Sequence, residues 1–457
     1  MTDGKLAKDN PHSSIDLRES VLTLKNLVAD ILEEAVSQGA SAAEVSASED
    51  VGLSVTVRKG ELETVEFNQD RGFGITVYFG QRKGSASTSD SSRSAIARTV
   101  RAAANIARYT QADSCNGLAE PELMPETLAD LDLYHPWNTD AQAAEALALT
   151  CEAAGLNHDS RIVNSDGAQV STQQSSRVYG NSHGFIGHYL GTRHGMSCMF
   201  IAEDENGMQR DHWYTTARDP SLLESPEAVG EEAGRRSVAR LSPRKVPTGN
   251  FPVIFCPQMS AGLVGHFLAA VSGGSLYRKA SFLLDSLGSA VMSHHLSLIE
   301  EPHLPKQIGS AGFDGDGVAT WDKTFVSNGV VANYVLSSYS ARRLGMETTG
   351  NAGGVFNVTL KGNEKPFAEL LGTMGEGFYV TELMGQGVNG VTGDYSRDAS
   401  GFWVENGELA YPVDGLTIAS NLKDMLQDIQ WLGDDLDSRG NVRTPSVLVG
   451  TMTVASN

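Results

Sequence analysis

A chain of 457 residues, 40% of them hydrophobic and 20% charged, is long enough for two domains that each bury a core. Its formal charge of −21 argues against direct nucleic-acid contact, because phosphates require clustered Lys and Arg. No run of about 18 apolar residues and no apolar leader segment is present, so neither a membrane span nor secretion is expected and the reading is cytoplasmic.

Residues 1–16 read as a flexible tail. Val21, Leu24, Val28, Ile31, Leu32 and Ala35 then recur at helical spacing, with Gly39 as a stop, which predicts a helix over 17–38. Segments 45–49, 53–58, 64–69 and 72–78 alternate apolar and polar residues between Gly and charged turns, the pattern of half-buried antiparallel strands. Helical spacing returns over 91–109 through Ile96, Val100, Ala103, Ala104 and Ile106, supplying cover for that sheet. Two more helices are predicted over 140–154 and 224–241, with strands around 169–179 and 185–202.

Two prolines and a Gly-Asn pair over 242–250 mark a boundary. The expected organisation is α+β: an α/β domain over 17–244, with an antiparallel sheet flanked by helices, and a mostly antiparallel, curled and barrel-like β domain over 245–457. Asn328-Gly329, Asn406-Gly407 and Asn206-Gly207 each read as the centre of a hairpin, for which a type I′ turn needs positive φ at both residues. The cysteines Cys115, Cys151, Cys198 and Cys256 lie far apart without a Cys-x-x-Cys pair and read as free thiols.

Three short motifs fail on their context. Gly385-Gln386-Gly387-Val388-Asn389-Gly390 fits a dinucleotide-binding pattern, but no apolar helix follows to present its amides. Asp314-Gly315-Asp316-Gly317 hints at calcium, yet Ala319 and Phe325 stand where an EF-hand needs Gly and Glu. Ser420-Asn421-Leu422-Lys423 fits Ser-x-x-Lys without the motifs that accompany it in acyl enzymes and reads as a helix start.

Histidine decides between an active enzyme and a silent subunit. His294, His295, Glu300, Glu301 and His303 are dense enough to ask about zinc; against that stands a polar surface turn fixed by Pro302 and Pro305, since no i,i+4 His pair and no later Cys completes a ligand set. His183, His188 and His194 cannot all share one face of a strand. His266 lies in an apolar helical segment, Pro257–Lys279, preceded by Ala261 and Gly262. A zinc hydrolase needs several ligands converging on one face and a base for the bound water. Were the segment a His-Glu-x-x-x-His helix, the first His and the Glu would fall on Ala261 and Gly262.

That segment, together with Ser281–Gly288 (SFLLDSLG), Gly309–Thr320 (GSAGFDGDGVAT), Ser337–Gly354 (SSYSARRLGMETTGNAGG) and Thr392–Gly407 (TGDYSRDASGFWVENG), resembles the TldD/TldE (PmbA) family and within it the TldE/PmbA branch. The resemblance covers most of the chain, most strongly from about residue 257. It implies a TldD-type partner that carries the zinc helix, a later Cys ligand and the water-activating Glu. This chain has no Cys after Cys256, so it is expected to hold no catalytic zinc. The implied assembly cleaves unfolded or flexible peptides, among them a peptide-antibiotic precursor and a labile antitoxin.

Polar groups within these segments are the candidates for peptide or partner contact: His266, Arg278, Ser340, Arg342, Thr349, Asn351, Asp394, Tyr395, Ser396, Arg397 and Trp403. Asp394–Arg397 beside Trp403 offers donors and an aromatic wall, and Gly353-Gly354 lets backbone approach a neighbour. A peptide would be gripped by main-chain hydrogen bonds to an exposed strand. An isolated chain has the option of pairing with itself through its partner surface. Two other classes stay open: a metallohydrolase built on the 294–303 cluster, and a regulatory binding module without catalysis.

Overall fold

The structure, a computed structural model, describes residues 17–456; the expected tail over 1–16 lies outside them. Helix α1 (Leu17–Ser37) buries the stripe that the spacing picks out, from Val21 to Ala35. Each larger side chain in that stripe contributes about 1.5–3 kcal/mol relative to exposure. Strands β1 (Ala42–Arg58), β2 (Glu61–Phe79) and β3 (Arg82–Thr88) follow, then α2 (Arg93–Tyr109), α3 (Ala141–Leu156), β4 (Ile162–Asn181), β5 (Ile186–Asp204), β6 (Gly207–Ala217) and α4 (Pro226–Ala239). The six strands form one antiparallel sheet in the order β3-β2-β1-β4-β5-β6.

The four short strands expected over 45–78 are two long ones. Asp50, Val51 and Gly52 stay in register against Asp70, Gln69 and Asn68, so the residues that resemble turns continue the ladder. Their polarity costs nothing because one sheet face is uncovered by helices. Along β1, Val45, Ala47, Leu53, Val55 and Val57 are buried beneath the helices, whereas Ser46, Ser48 and Asp50 face the other way. Side-chain caps set three helix starts: Ser92, Asp140 and Ser225 each accept the backbone N–H three residues on.

After α4 come β7 (Gly249–Phe255), α5 (Pro257–Ala270), α6 (Gly273–Tyr277), β8 (Ser297–Glu300), β9 (Lys323–Ser327), β10 (Val330–Val331) and α7 (Ser338–Leu344). The chain ends with β11 (Val358–Lys361), β12 (Glu364–Lys365), α8 (Phe367–Met374), β13 (Gly377–Met384), β14 (Asp394–Glu405), β15 (Glu408–Asn421), α9 (Leu422–Gln427), β16 (Ile429–Gly433), β17 (Val442–Arg443) and β18 (Val447–Ser456). Strand β18 pairs with β15 on one side and β7 on the other, so β7, β13, β14, β15 and β18 close into a five-strand barrel. A second sheet runs β10-β9-β8-β11-β17. The α+β class and barrel match expectation, but β7–β13, β11–β17 and β12–β16 pair in parallel.

Asn328-Gly329 and Asn406-Gly407 have positive φ at both residues, as a type I′ turn requires. The β5–β6 turn departs from the expectation: Gly207 has φ 129° while Asn206 stays outside the left-handed region. All four cysteines are free. No helix among the described residues is long and apolar enough to cross a membrane.

Three arginines tie the two parts of the chain together through main-chain oxygens. Arg218 donates to the carbonyls of Gln307 and Ile308 at 2.8 and 2.7 Å. Arg342 donates to those of Gly117 and Leu118 at 3.1 and 2.6 Å, and Arg439 to that of Tyr214 at 2.7 Å. Within the first part, α3 and α4 approach closely where Gly155 meets Gly230. A β-carbon on Gly230 would run into the Cys151 carbonyl oxygen, which is helix backbone and cannot swing aside. Gly230→Ala is therefore expected to lower unfolding stability by about 1–3 kcal/mol in urea titrations, the range for an overpacked core.

Candidate functional site

Helix α5 starts directly after barrel strand β7, and its geometry is fixed at that end. The Cys256 amide donates to the Val380 carbonyl at 3.0 Å. The buried Ser260 hydroxyl bonds Thr444 Oγ1 at 2.8 Å and the Pro445 carbonyl at 2.7 Å. The last turn carries His266 to the wall of a pocket of about 310 Å³, together with Ser275, Gln386 and Arg397. The His266 ring meets Tyr395 edge to face with centroids 6.1 Å apart. Burial, reinforced by the Arg397 guanidinium, holds the imidazole below its ordinary pKa and so favours the neutral form.

This donor set does not fit a catalytic zinc. Ala261 and Gly262 bring no ligand or base, and a guanidinium faces the one imidazole. Among the described residues, no three His, Cys, Asp or Glu side chains form a metal-holding group. The 294–303 cluster is dispersed. His295 bonds the Ile429 carbonyl and the Asn363 amide, His303 bonds Thr320, and Glu300 is paired with Lys323 at 2.6 Å. His194 has both ring nitrogens engaged, by Thr172 and the His135 carbonyl.

A larger cleft, about 1000 Å³, lies between the uncovered sheet face and loops of the second part. Ser46, Ser48, Gly72 and Gly74 form its floor, with Tyr179 and Tyr189 at one side. Phe313 packs against both tyrosine rings, with centroids 6.4 and 5.9 Å away, and Asp314 and the segment 352–356 also line the cleft. That segment is held by Glu300, which is fully buried and receives Lys323 Nζ, Asn351 Nδ2 at 3.0 Å and the Phe356 amide at 2.7 Å. Removing Lys323 would strand a buried carboxylate, a change that costs about 3–5 kcal/mol in comparable pairs.

The structure brings His266 and Arg397 to the small pocket, with buried Tyr395 packed edge-on against the imidazole, and spreads the other candidates. Asn351 points away from the cleft and binds Glu300. Thr349 caps the Leu336 amide, and Ser340 completes a capping box with Ser337 on α7. Arg342 is spent on the 117–120 backbone and Glu120. Trp403, expected as an aromatic wall, is buried at 1% exposure and meets Phe251 edge to face at 4.9 Å, on the core side of β14. Asp394 accepts the Thr392 hydroxyl and the Asn421 amide at the exposed start of β14, Ser396 is exposed, and Arg278 is exposed beside Tyr277. Gly353 and Gly354 do line the cleft.

Sequence reasoning missed Glu44 and Asp314. Glu44 stands on the polar face of β1, accepts the Tyr78 and Tyr179 hydroxyls at 2.8 and 3.0 Å, and burial pushes its carboxyl above the ordinary range. Asp314 accepts the amides of Asp316, Val318 and Ala352 at 2.9, 3.0 and 2.8 Å. Burial, and then the neighbouring Asp316 charge, push Asp314 up to about 7. A titrating carboxyl on a cleft wall is the kind of group that functional clefts contain. Alternation along β1 placed Glu44 on the open face; the DGDG turn gave no sign that Ala352 closes over Asp314.

Profiles of the PmbA/TldA metallopeptidase domain 1, central domain and C-terminal domain match residues 43–107, 134–241 and 248–456. The chain is 48% identical to Metalloprotease PmbA of Escherichia coli O157:H7 over 432 residues, 93% of this chain and 96% of that one. It is 46% identical to the Metalloprotease PmbA homolog of Haemophilus influenzae, covering 98% and 100% of the two chains. The crystal structure of a candidate modulator of DNA gyrase from Bacteroides thetaiotaomicron superposes with TM-score 0.90 at 25% identity, covering 95% of this chain and 99% of that one.

The Asp314 carboxyl titrates near 3.8 when unfolded and near 7 in the fold, so folding takes up a proton between those values. Its contribution is complete below the lower value and is lost as pH rises through the upper one. Urea titrations at pH 5 and pH 8 should show that the stability advantage of the wild type over Asp314→Asn is larger at pH 5; equal advantages at both pH values would count against this assignment.

Proposed function

Since the chain belongs to the PmbA/TldD metallopeptidase family, in its PmbA (TldE) branch, we propose that it is the zinc-free subunit of a two-chain peptidase. The observation that carries this reading is the α5 pocket. The helix presents one imidazole beside a guanidinium, where water activation would need several ligands and a base. The zinc, the base and the bond-breaking step then belong to a TldD-type partner.

This chain's part is to admit and hold peptide. The cleft of about 1000 Å³, with its serine and glycine floor, the side-chain-free backbone at Gly353 and a few aromatic rings, suits an extended flexible segment with loose side-chain preference. The proposed substrates are unfolded or flexible peptides, including an antibiotic precursor and an antitoxin. The proposed compartment is the cytoplasm.

Metal content and cleavage of an unstructured peptide, measured for the chain alone and mixed with a TldD-type partner, test the assignment. Zinc and cleavage are expected in the mixture only, and stoichiometric zinc with activity in this chain alone would overturn it. In the mixture, His266→Ala should leave the zinc content unchanged.

A further inference from the structure

The α5 pocket has a composition that its position does not require. Its polar groups are His266, Ser275, Gln386 and the Arg397 guanidinium, and no Asp or Glu lines it, in a chain whose net charge is −21. Arg397 donates Nε to the Met384 carbonyl at 2.9 Å, which aims the guanidinium, and makes no ion pair among the described residues. Most other arginines of the second part are committed: Arg342 to Glu120, Arg343 beside Asp113 and Arg439 to Asp437. An aimed guanidinium flanked by an imidazole, an amide and a hydroxyl is a receptor for an anion, and for a planar carboxylate in particular, whose two oxygens match its fork.

The remaining walls are apolar: Ala269, Phe282, Val388 and Leu422. At about 310 Å³ the space suits one or two residues. We infer that this pocket binds the free C-terminal carboxylate of a peptide whose last residue is small to medium and apolar. An α-carboxylate and its own side chain leave the same carbon, so one terminal residue meets both the Arg397 end and the apolar wall. An Asp or Glu side chain would satisfy only the first. Gly385 and Gly390 border the pocket, and a β-carbon at either would meet open space, so the mouth stays wide enough for a chain end to enter.

The inference rests on the reading of this chain as a peptide-handling subunit and adds a polarity to it, since a subunit that captures chain ends fixes which end of the peptide is anchored. The test is calorimetric titration of the purified full chain with N-acetyl-Ala-Ala-Val as the free acid and as the C-terminal amide, with acetate and inorganic phosphate as separate probes. The acid should bind about tenfold or more tightly than the amide, as expected for loss of a charge-assisted pair. Arg397→Gln should erase the difference, and Arg397→Lys should retain part of it. Because Arg397 is only partly buried and makes no ion pair among the described residues, both variants should melt within a few degrees of the wild type. Equal binding of acid and amide, or an acid preference that survives in Arg397→Gln, overturns the inference, as does phosphate or acetate binding as tightly as the peptide acid. Zinc-dependent cleavage by the mixture, followed in parallel, separates failure of this inference from failure of the subunit assignment.

Discussion

The closure of the barrel by β7 is the constraint on which the rest of the second part depends. This seven-residue strand lies between β13, parallel, and β18, the last strand of the chain, antiparallel, so residues almost 200 positions apart in sequence complete one another's backbone hydrogen bonding. Its side chains Val253 and Phe255 sit in the barrel core, and Ile254 faces out against α8 in a separate apolar cluster. With β7 fixed, α5 has one place to begin, and the buried bonds of Ser260 to the 444–445 backbone and hydroxyl fix its direction. The position of His266 over Tyr395 and Arg397 follows from that geometry.

A second, electrostatic device shapes the cleft. Glu300 collects a lysine, an amide side chain and a backbone amide in a site with no solvent exposure, and thereby holds segment 351–356 against the mouth of the sheet. The buried charge is tolerable because every strong donor nearby is directed at it. The polar cleft surface of the sheet is built differently: its serines and glycines keep the ladder continuous while leaving hydroxyl groups open to the cleft.

The helices of the first part were legible because burial of one face leaves a period in the sequence, as from Val21 to Ala35, whereas the short helices α7 and α8 are too brief to show one. The strands of the first sheet were legible as an alternation but not in length, since Asp50–Gly52 reads as a turn unless one knows that their face is open. Parallel pairing of β7 with β13 left no local mark, because it depends on a neighbour more than a hundred residues away. The same limit governed the site. A polar residue in a glycine-rich segment of sequence looks alike whether it meets solvent, as Asp394 at the start of β14 does, or holds the fold together, as Asn351 and Arg342 do. Trp403 misled for a related reason: it follows the polar run Asp394–Arg397, but strand alternation turns its ring inward to Phe251. His266 and Arg397, 131 positions apart, become a pair only through the barrel.

The arginine ties between the two parts distribute robustness unevenly. Across the joint, Arg218, Arg342 and Arg439 donate mainly to carbonyl oxygens, which every residue type carries. The accepting segments around 117–118, 214 and 307–308 are thus free to drift in side chain without loosening the joint, provided the backbone path is kept. For these ties the sensitivity lies on the donor side, where loss of a single guanidinium at Arg218 or Arg342 cancels several bonds together and leaves part-buried carbonyls without partners. A joint built this way lets the surfaces around the chamber vary from one protein to another while the spacing of its walls stays the same.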